Sequence, residues 1–286
     1  MARPAGTPGG ANRIARGCDL DSSDVGDRGQ DSGGDAGGDP DDEVAAVRFS
    51  GFPPVLGRTA RRIGEFAGDS GVRRAVALRL LRPANLFQPH NDTWMDRYPL
   101  QFEFLRQALR DVPAPRILSF GCSTGEEAFS LLEYLPDATV KGIDISRRNI
   151  ADAKRRARSL GMLSVEFQRA GHTAEEPTGG YDAALCMAVF RNGALSQSDS
   201  MTCVPHLEFA SFDRTAADVA RCIRPGGYLV IEHSNFSFGD TGVSSGFDCV
   251  LRRPRSTVDV GTPMYGPDNR RIVDPPAAVE TVFRKQ

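Results

Sequence analysis

The sequence predicts an α/β fold: a doubly wound, mostly parallel sheet with an antiparallel C-terminal edge, preceded by a disordered N-terminal tail. Three observations carry this. Strand-like and helix-like stretches alternate from Pro99 to Ser234, the order a parallel sheet covered by helices produces. One of them, "YDAALCMAVF" from Tyr181 to Phe190, is apolar almost throughout, as a central parallel strand buried on both faces should be. A glycine turn, "GCSTG" from Gly121 to Gly125, stands between the first strand and its helix, where open parallel sheets bind ligands.

The elements follow in order. "LQFEFLRQAL" from Leu100 has apolar residues at helical spacing and is stopped by Pro113 and Pro115. "RILSFG" is a short strand, and "EEAFSLLEYL" a helix with Ala128, Leu131 and Leu132 on one side, ended by Pro136. "TVKGIDIS" is the second strand; Ser146 can cap the next helix, and Gly161 suits its C-terminus. "SVEFQRA" is the third strand and Tyr181–Phe190 the fourth. "FDRTAADVARCI" is a helix closed by "RPGG", and "YLVIEHS" from Tyr228 to Ser234 is the fifth strand. Beyond it, "FDCVLRR" and "VETVFRK" form the antiparallel edge, with the intervening loop near the substrate.

Residues 1–45 are a low-complexity tail rich in Gly, Asp and Ser. Such a segment cannot bury enough apolar surface to offset its ordering entropy. It carries ten acids and four arginines, a net −6, so the whole chain's −2 leaves about +4 for the remainder. So mild a balance does not suggest a broad phosphate-binding surface, and no nucleic-acid module is apparent. Residues 46–98 read as a helical extension and possible lid, with arginines interleaved among aliphatic residues between Gly57 and Arg82. Residues 99–286 read as the ligand-binding domain. No apolar run reaches the roughly 20 residues a membrane span needs, and the N-terminus has no apolar core of a signal peptide. Six scattered cysteines without C-x-x-C pairs point to reduced thiols in a cytoplasmic protein.

The glycine turn narrows the ligand. Gly121 and Gly125 allow a tight turn and close backbone approach, and the amides of the following helix point outward as donors. Asp144, nineteen residues after Gly125 at the end of the second strand, is placed to accept hydrogen bonds from both hydroxyls of a ribose. The dinucleotide fingerprint would need a glycine where Ser123 stands. Glu126 and Glu127 at the helix start would oppose a pyrophosphate. They suit a cationic adenosine cofactor instead.

Residues 116–234 resemble the class I S-adenosylmethionine-dependent methyltransferases, a Rossmann-like family. "ILSFGCSTGEE" is similar to their glycine-rich first motif, "VKGIDIS" to the acidic second and "YDAALCMAVF" to the fourth-strand motif, while "CIRPGGYLVIEHS" matches the helix-turn-strand that follows. The resemblance implies S-adenosyl-L-methionine as cofactor. It places Gly121, Cys122, Ser123 and Gly125 along the methionine part, Asp144 at the ribose, Ile145 beside the adenine, and Met187 and Ala188 near the sulfonium. The family's frequent acid after the third strand is missing from "RAGHTAEEP", although Ala170 to His172 can still border the adenine. "CSTGEE" also resembles the glycine loop of chemotaxis-receptor glutamate methyltransferases, whose helical N-terminal domain has no counterpart here.

Methyl transfer depends mainly on holding the nucleophile near the methyl group, so a catalytic residue need not be visible. His233 with Glu232, at the carboxyl end of the fifth strand, are the candidates for a base. Arg191 and Asn192, after the fourth strand, are the candidates for substrate contacts. No His, Cys or carboxylate cluster has metal-ligand spacing, and no metal is expected. Cys122 stands at a helix N-terminus, which lowers a thiol pKa, but Glu126 and Glu127 oppose that and a packing role fits better. Arg97 or Tyr98, before the first core strand, could reach the methionine carboxylate. The expected activity is methyl transfer to a small molecule. The alternatives are a protein or RNA methyltransferase, a nicotinamide-dependent oxidoreductase, which the loop disfavours, and a non-catalytic cofactor-binding protein of the same fold.

Overall fold

The computed structural model describes residues 87–88 and 93–286. The expected tail, most of the extension and the arginines between Gly57 and Arg82 lie outside the described residues. Helix α1 (Pro99–Ala108) leads into β1 (Arg116–Phe120), α2 (Glu126–Tyr134), β2 (Thr139–Asp144), α3 (Arg147–Ser159) and β3 (Val165–Arg169). Then come β4 (Tyr181–Met187), the short α4 (Gly193–Ser196), α5 (Phe209–Cys222) and β5 (Ile223–Glu232). The chain closes with β6 (Phe247–Pro254), the one-turn α6 (Thr257–Val260) and β7 (Ala278–Lys285).

Among the described residues these make a seven-stranded sheet in the order β3-β2-β1-β4-β5-β7-β6. The first five strands pair in parallel, and β7 runs antiparallel to both β5 and β6. Strand order reverses at β1, because β2 and β3 extend to one side and β4 and β5 to the other. The crevice beyond the carboxyl ends of β1 and β4 is therefore the switch point where ligands bind in such sheets.

Alternation along each strand divides the core into two layers. Ile117, Ala183, Leu185, Val230 and Val282 pack with Phe102 and Leu105 of α1, Phe129 and Leu131 of α2 and Ala153 of α3. Their sequence neighbours Leu118, Ala184, Cys186, Leu229 and Phe283 pack on the other face, with Phe212, Ala216 and Val219 of α5. β4 is buried along nearly its whole length, as its continuous apolar run requires. The cysteines among the described residues are all free.

Two boundaries differ from the sequence expectation, each for a tertiary reason. Helix α5 begins at Phe209 rather than Phe212, because the Phe209 amide donates to Oδ1 of Asn269, 2.7 Å away and 60 residues distant in sequence. β5 begins at Ile223, so "RPGG" lies within the strand instead of closing the helix. Tyr181 pairs with Ile223 and Ala183 with Tyr228, which bulges the intervening residues outward. Gly226 has φ +76°, and a Cβ on Gly227 would meet the Asp182 carbonyl at 2.7 Å. Arg224 pins the bulge by donating to Asp182 at 2.6 Å.

Candidate active site

Three adjacent strands end on residues in the left-handed region: Ser123 just after β1 (φ 52°), Ala188 after β4 (φ 56°) and His233 after β5 (φ 50°). Non-glycine residues adopt this conformation at a cost that surrounding structure must supply, and such strain gathers at functional sites. All three lie along the carboxyl edge at the switch point. Ala188 is tied across the strands by its amide, which donates to the Glu232 carbonyl at 2.8 Å.

The glycine turn forms a cradle without side chains. Gly121 has φ +74°, and a Cβ there would meet Val189 Cγ2 at 2.4 Å; Gly125 has φ +93°, and its Cβ would strike Phe167 and Phe129. The amides of Gly121 and Cys122 donate to the Ile143 carbonyl, which binds the turn to the end of β2. There Asp144 is buried and holds the turn in place. Its Oδ2 accepts from the Ser123 amide at 2.9 Å, and its Oδ1 from the Ser146 amide at 2.7 Å. Ser146 caps α3 by accepting from the Asn149 amide. One carboxylate thus fixes the loop, the strand end and the next helix together. Ile145 follows it, and Gly171 lies so close that a Cβ would meet Ile145 Cδ1 at 3.0 Å, so the loop after β3 lies against Ile145.

The two acids that open α2 part company. Glu126 is paired with Arg156 of α3 at 2.9 Å. Glu127 turns inward, accepts from the Ser119 hydroxyl at 3.3 Å and has its pKa pushed up to about 8 by burial, with Arg97 and Ser119 pulling against that rise. Cys122 is fully buried; burial first and Asp144 second push its thiol well up, which makes it a packing residue.

Above β4 and β5, residues of α1 and the C-terminal excursion surround the end of β5. Glu232 is buried and accepts from Gln101 Nε2 at 2.5 Å and from Arg253. Arg253 also binds Asp259. Burial works against both members of that pair, yet the pairing and the Ser256 hydrogen bonds hold the Asp259 carboxyl well below the usual range. His233 Nδ1 lies 3.5 Å from Asp259 Oδ1 and 3.9 Å from Glu232 Oε1, and its ring is 5.7 Å from that of Tyr98. Burial lowers the imidazole pKa below its ordinary value, although Glu232 and Asp259 pull it up. Glu232, His233 and Asp259 have ligand atoms within 4.8 Å of one another, the spacing of a three-ligand metal site. The Arg253 guanidinium already supplies the cation between the two carboxylates.

Three buried polar atoms at this edge, Ser123 Oγ, Tyr98 Oη and Arg191 Nε, have no hydrogen-bond partner among the described residues; His233 Nδ1 also lacks one but faces Asp259. Burying such groups unsatisfied is costly, and an amino-acid moiety with a carboxylate and an ammonium would satisfy groups of this kind. The cradle, Asp144 and these atoms fit S-adenosylmethionine. Met187 is buried beside this edge. Asn192 is different: its Oδ1 accepts from the Ala194 amide and its Nδ2 donates to the Phe87 carbonyl, so it caps α4 and shapes the wall. Sequence reading missed Gln101, Arg253 and Asp259. No local spacing links them to His233: α1 carries Gln101 to the end of β5, and the return of β6 beside β7 brings Arg253 and Asp259 there.

Among the described residues no helix is long and apolar enough to cross a membrane. Residues 112–251 match the methyltransferase domain family. The chain is 29% identical over 136 residues to a fatty-acid O-methyltransferase of Mycolicibacterium smegmatis, covering 48% of this chain and 43% of that protein. It is 28% identical over 134 residues to the ribosomal RNA small subunit methyltransferase C of Hahella chejuensis, covering 47% and 35%. The chain thus spans less than half the length of these curated relatives. A geranyl diphosphate methyltransferase solved with geranyl diphosphate and sinefungin superposes with a TM-score of 0.34, at 22% identity over 46% of this chain and 42% of that one. With its strand order, its glycine cradle and Asp144 at the switch point, the chain has the class I S-adenosylmethionine-dependent methyltransferase fold, and residues 112–251 match the methyltransferase domain.

Proposed function

We propose that the protein transfers a methyl group from S-adenosyl-L-methionine to a small-molecule acceptor. The observation that carries this is the alignment of Ser123, Ala188 and His233 in strained conformations on three neighbouring strands, beside the Gly121–Gly125 cradle and Asp144. When bound, the cofactor supplies an electrophilic methyl group on a sulfonium. Gly121, Ser123 and Gly125, with the backbone of Cys122, would line its methionine part, Asp144 would hold the ribose and Ile145 would flank the adenine. Met187 and Ala188 lie near the sulfur.

The remaining residues orient the acceptor and move its proton. A buried, neutral imidazole at pH 7 can accept a proton. With Nδ1 turned toward Asp259, His233 presents Nε2 as the base for a hydroxyl acceptor. His233 Nε2 would take the proton of the acceptor hydroxyl, while the bound cofactor would supply the methyl group and keep the departing electron pair on its sulfur. Glu232 serves as a support, because Gln101 and Arg253 bind its carboxylate. Arg191 faces the same edge as a contact for an anionic group, and residues 99–286 form the functional domain. The free cysteines favour a reducing compartment, and we place the reaction in the cytoplasm.

Titration calorimetry with S-adenosylhomocysteine tests the cofactor site. Micromolar binding that Asp144→Asn weakens at least tenfold is expected; no binding, or an unchanged Asp144→Asn, overturns the reading. Methyl release from labelled cofactor against a metabolite extract then separates an enzyme from a non-catalytic binder, and stimulation by RNA or protein fractions alone would shift the acceptor class. His233→Asn should lower kcat at least a hundredfold on a hydroxyl acceptor while leaving cofactor affinity within twofold. Wild-type activity should fall only below about pH 6.5, the ordinary histidine value.

A further inference from the structure

Beside the end of β5, the C-terminal excursion encloses a cavity of about 420 Å³. Ile231, Phe236, Phe238, Met264, Ile272 and Val279 make most of its wall apolar. That size, with an apolar lining and a few polar groups, is typical of a small-molecule site.

The charges on the wall are unevenly compensated. Arg252 is held by two hydrogen bonds to Glu280, and Asp259 is taken by Arg253 and Ser256. Asp240 stands at the rim, where partial desolvation pushes its carboxyl up. Arg255 is half-buried and differs from these. Its Nη2 donates to the Asp259 carbonyl at 2.7 Å and its Nη1 lies 3.0 Å from Met264 Sδ. No carboxylate among the described residues forms an ion pair with it. A guanidinium in an apolar wall with only neutral acceptors has unspent attraction for a carboxylate, to which its planar fork is well matched.

We propose that this cavity binds a small amphipathic acid, with its carboxylate on Arg255 and its apolar body against Phe236, Phe238 and Ile272. His233 forms part of the same wall, so a hydroxyl on the bound acid, away from the carboxylate on Arg255, would face the proposed base. Calling it the methyl acceptor rests on the methyl-transfer reading; the binding does not.

Calorimetry on the full chain with octanoate, and with octanamide as its uncharged counterpart, tests the site. Octanoate should bind at least tenfold tighter than octanamide, and Arg255→Gln should erase that preference with S-adenosylhomocysteine affinity held within twofold. Ile272→Trp, which fills the cavity from its apolar wall, should weaken both ligands at least tenfold. Equal affinity for the two ligands, or octanoate binding unchanged in either variant, overturns the proposal. Should Arg255→Gln unfold, the acid-to-amide comparison on the wild type and Ile272→Trp still decide. Octanoate binding without S-adenosylhomocysteine binding would remove the cofactor reading and keep the cavity; the reverse would remove the cavity and keep the cofactor reading.

Discussion

Glu127 is the residue whose chemistry the fold changes most. Its carboxyl ordinarily titrates near 4.3, and burial pushes it up to about 8. Stability tied to the protonated form is fully present below about pH 4.3 and is lost as pH rises toward about 8, because the unfolded chain releases a proton that the folded chain keeps. Glu127→Gln should therefore raise the melting temperature relative to wild type by an amount that grows from pH 5 to pH 8. A constant difference across that range would show that the carboxyl is already ionised. If its partner is the ammonium of the cofactor, S-adenosylhomocysteine should bind more tightly at pH 7.5 than at pH 6, and Glu127→Gln should flatten that dependence. At the other end of the turn, Gly121→Ala combines a positive φ with a clash against Val189. The conformation alone costs about 1–2 kcal/mol for a residue with a Cβ, and chemical denaturation should show at least that loss together with weakened cofactor binding.

Among the elements, α3 shows how a local signal serves the site. Ser146 was legible as a cap, and the structure places its side chain on the Asn149 amide at 3.3 Å. Its own amide meanwhile donates to Asp144. Ser146→Ala should cost about 1 kcal/mol of stability, the usual loss of such a cap. It should lower cofactor affinity only slightly, because the backbone donor to Asp144 survives; a loss as large as that of Asp144→Asn would mean the cap itself orders the carboxylate. The start of α5 lacked any such signal, since its cap comes from Asn269. The glycines of "RPGG" were legible as a break, but whether they end a helix or bulge a strand was decided by Asp182 and Arg224.

In the whole molecule, the last strand is what completes both the sheet and the site. β7 inserts between β5 and β6, burying Val282 and Phe283, and the Phe283 ring packs 4.6 Å from that of Phe238. Phe283→Ala should cost about 3–5 kcal/mol, as buried phenylalanines do. Because Phe238 also lines the cavity beside β5, octanoate binding should weaken in the same variant, measured at a temperature where it remains folded. A loss below 1 kcal/mol would show that the edge forms without this contact.

Periodicity and turn chemistry act over a few residues, so the amino-acid sequence alone determined the alternating strands and helices, the Gly121–Gly125 turn, Asp144 at its strand end and the family these imply. Side chains far apart in sequence meet only when the sheet is complete. The tertiary structure therefore decided that Glu126 would pair with Arg156 while Glu127 was buried, and that Asn192 would become a cap. It also decided that β6 and α6 would carry Arg253 and Asp259 to His233, because pairing β7 with β5 folds that return over the carboxyl edge.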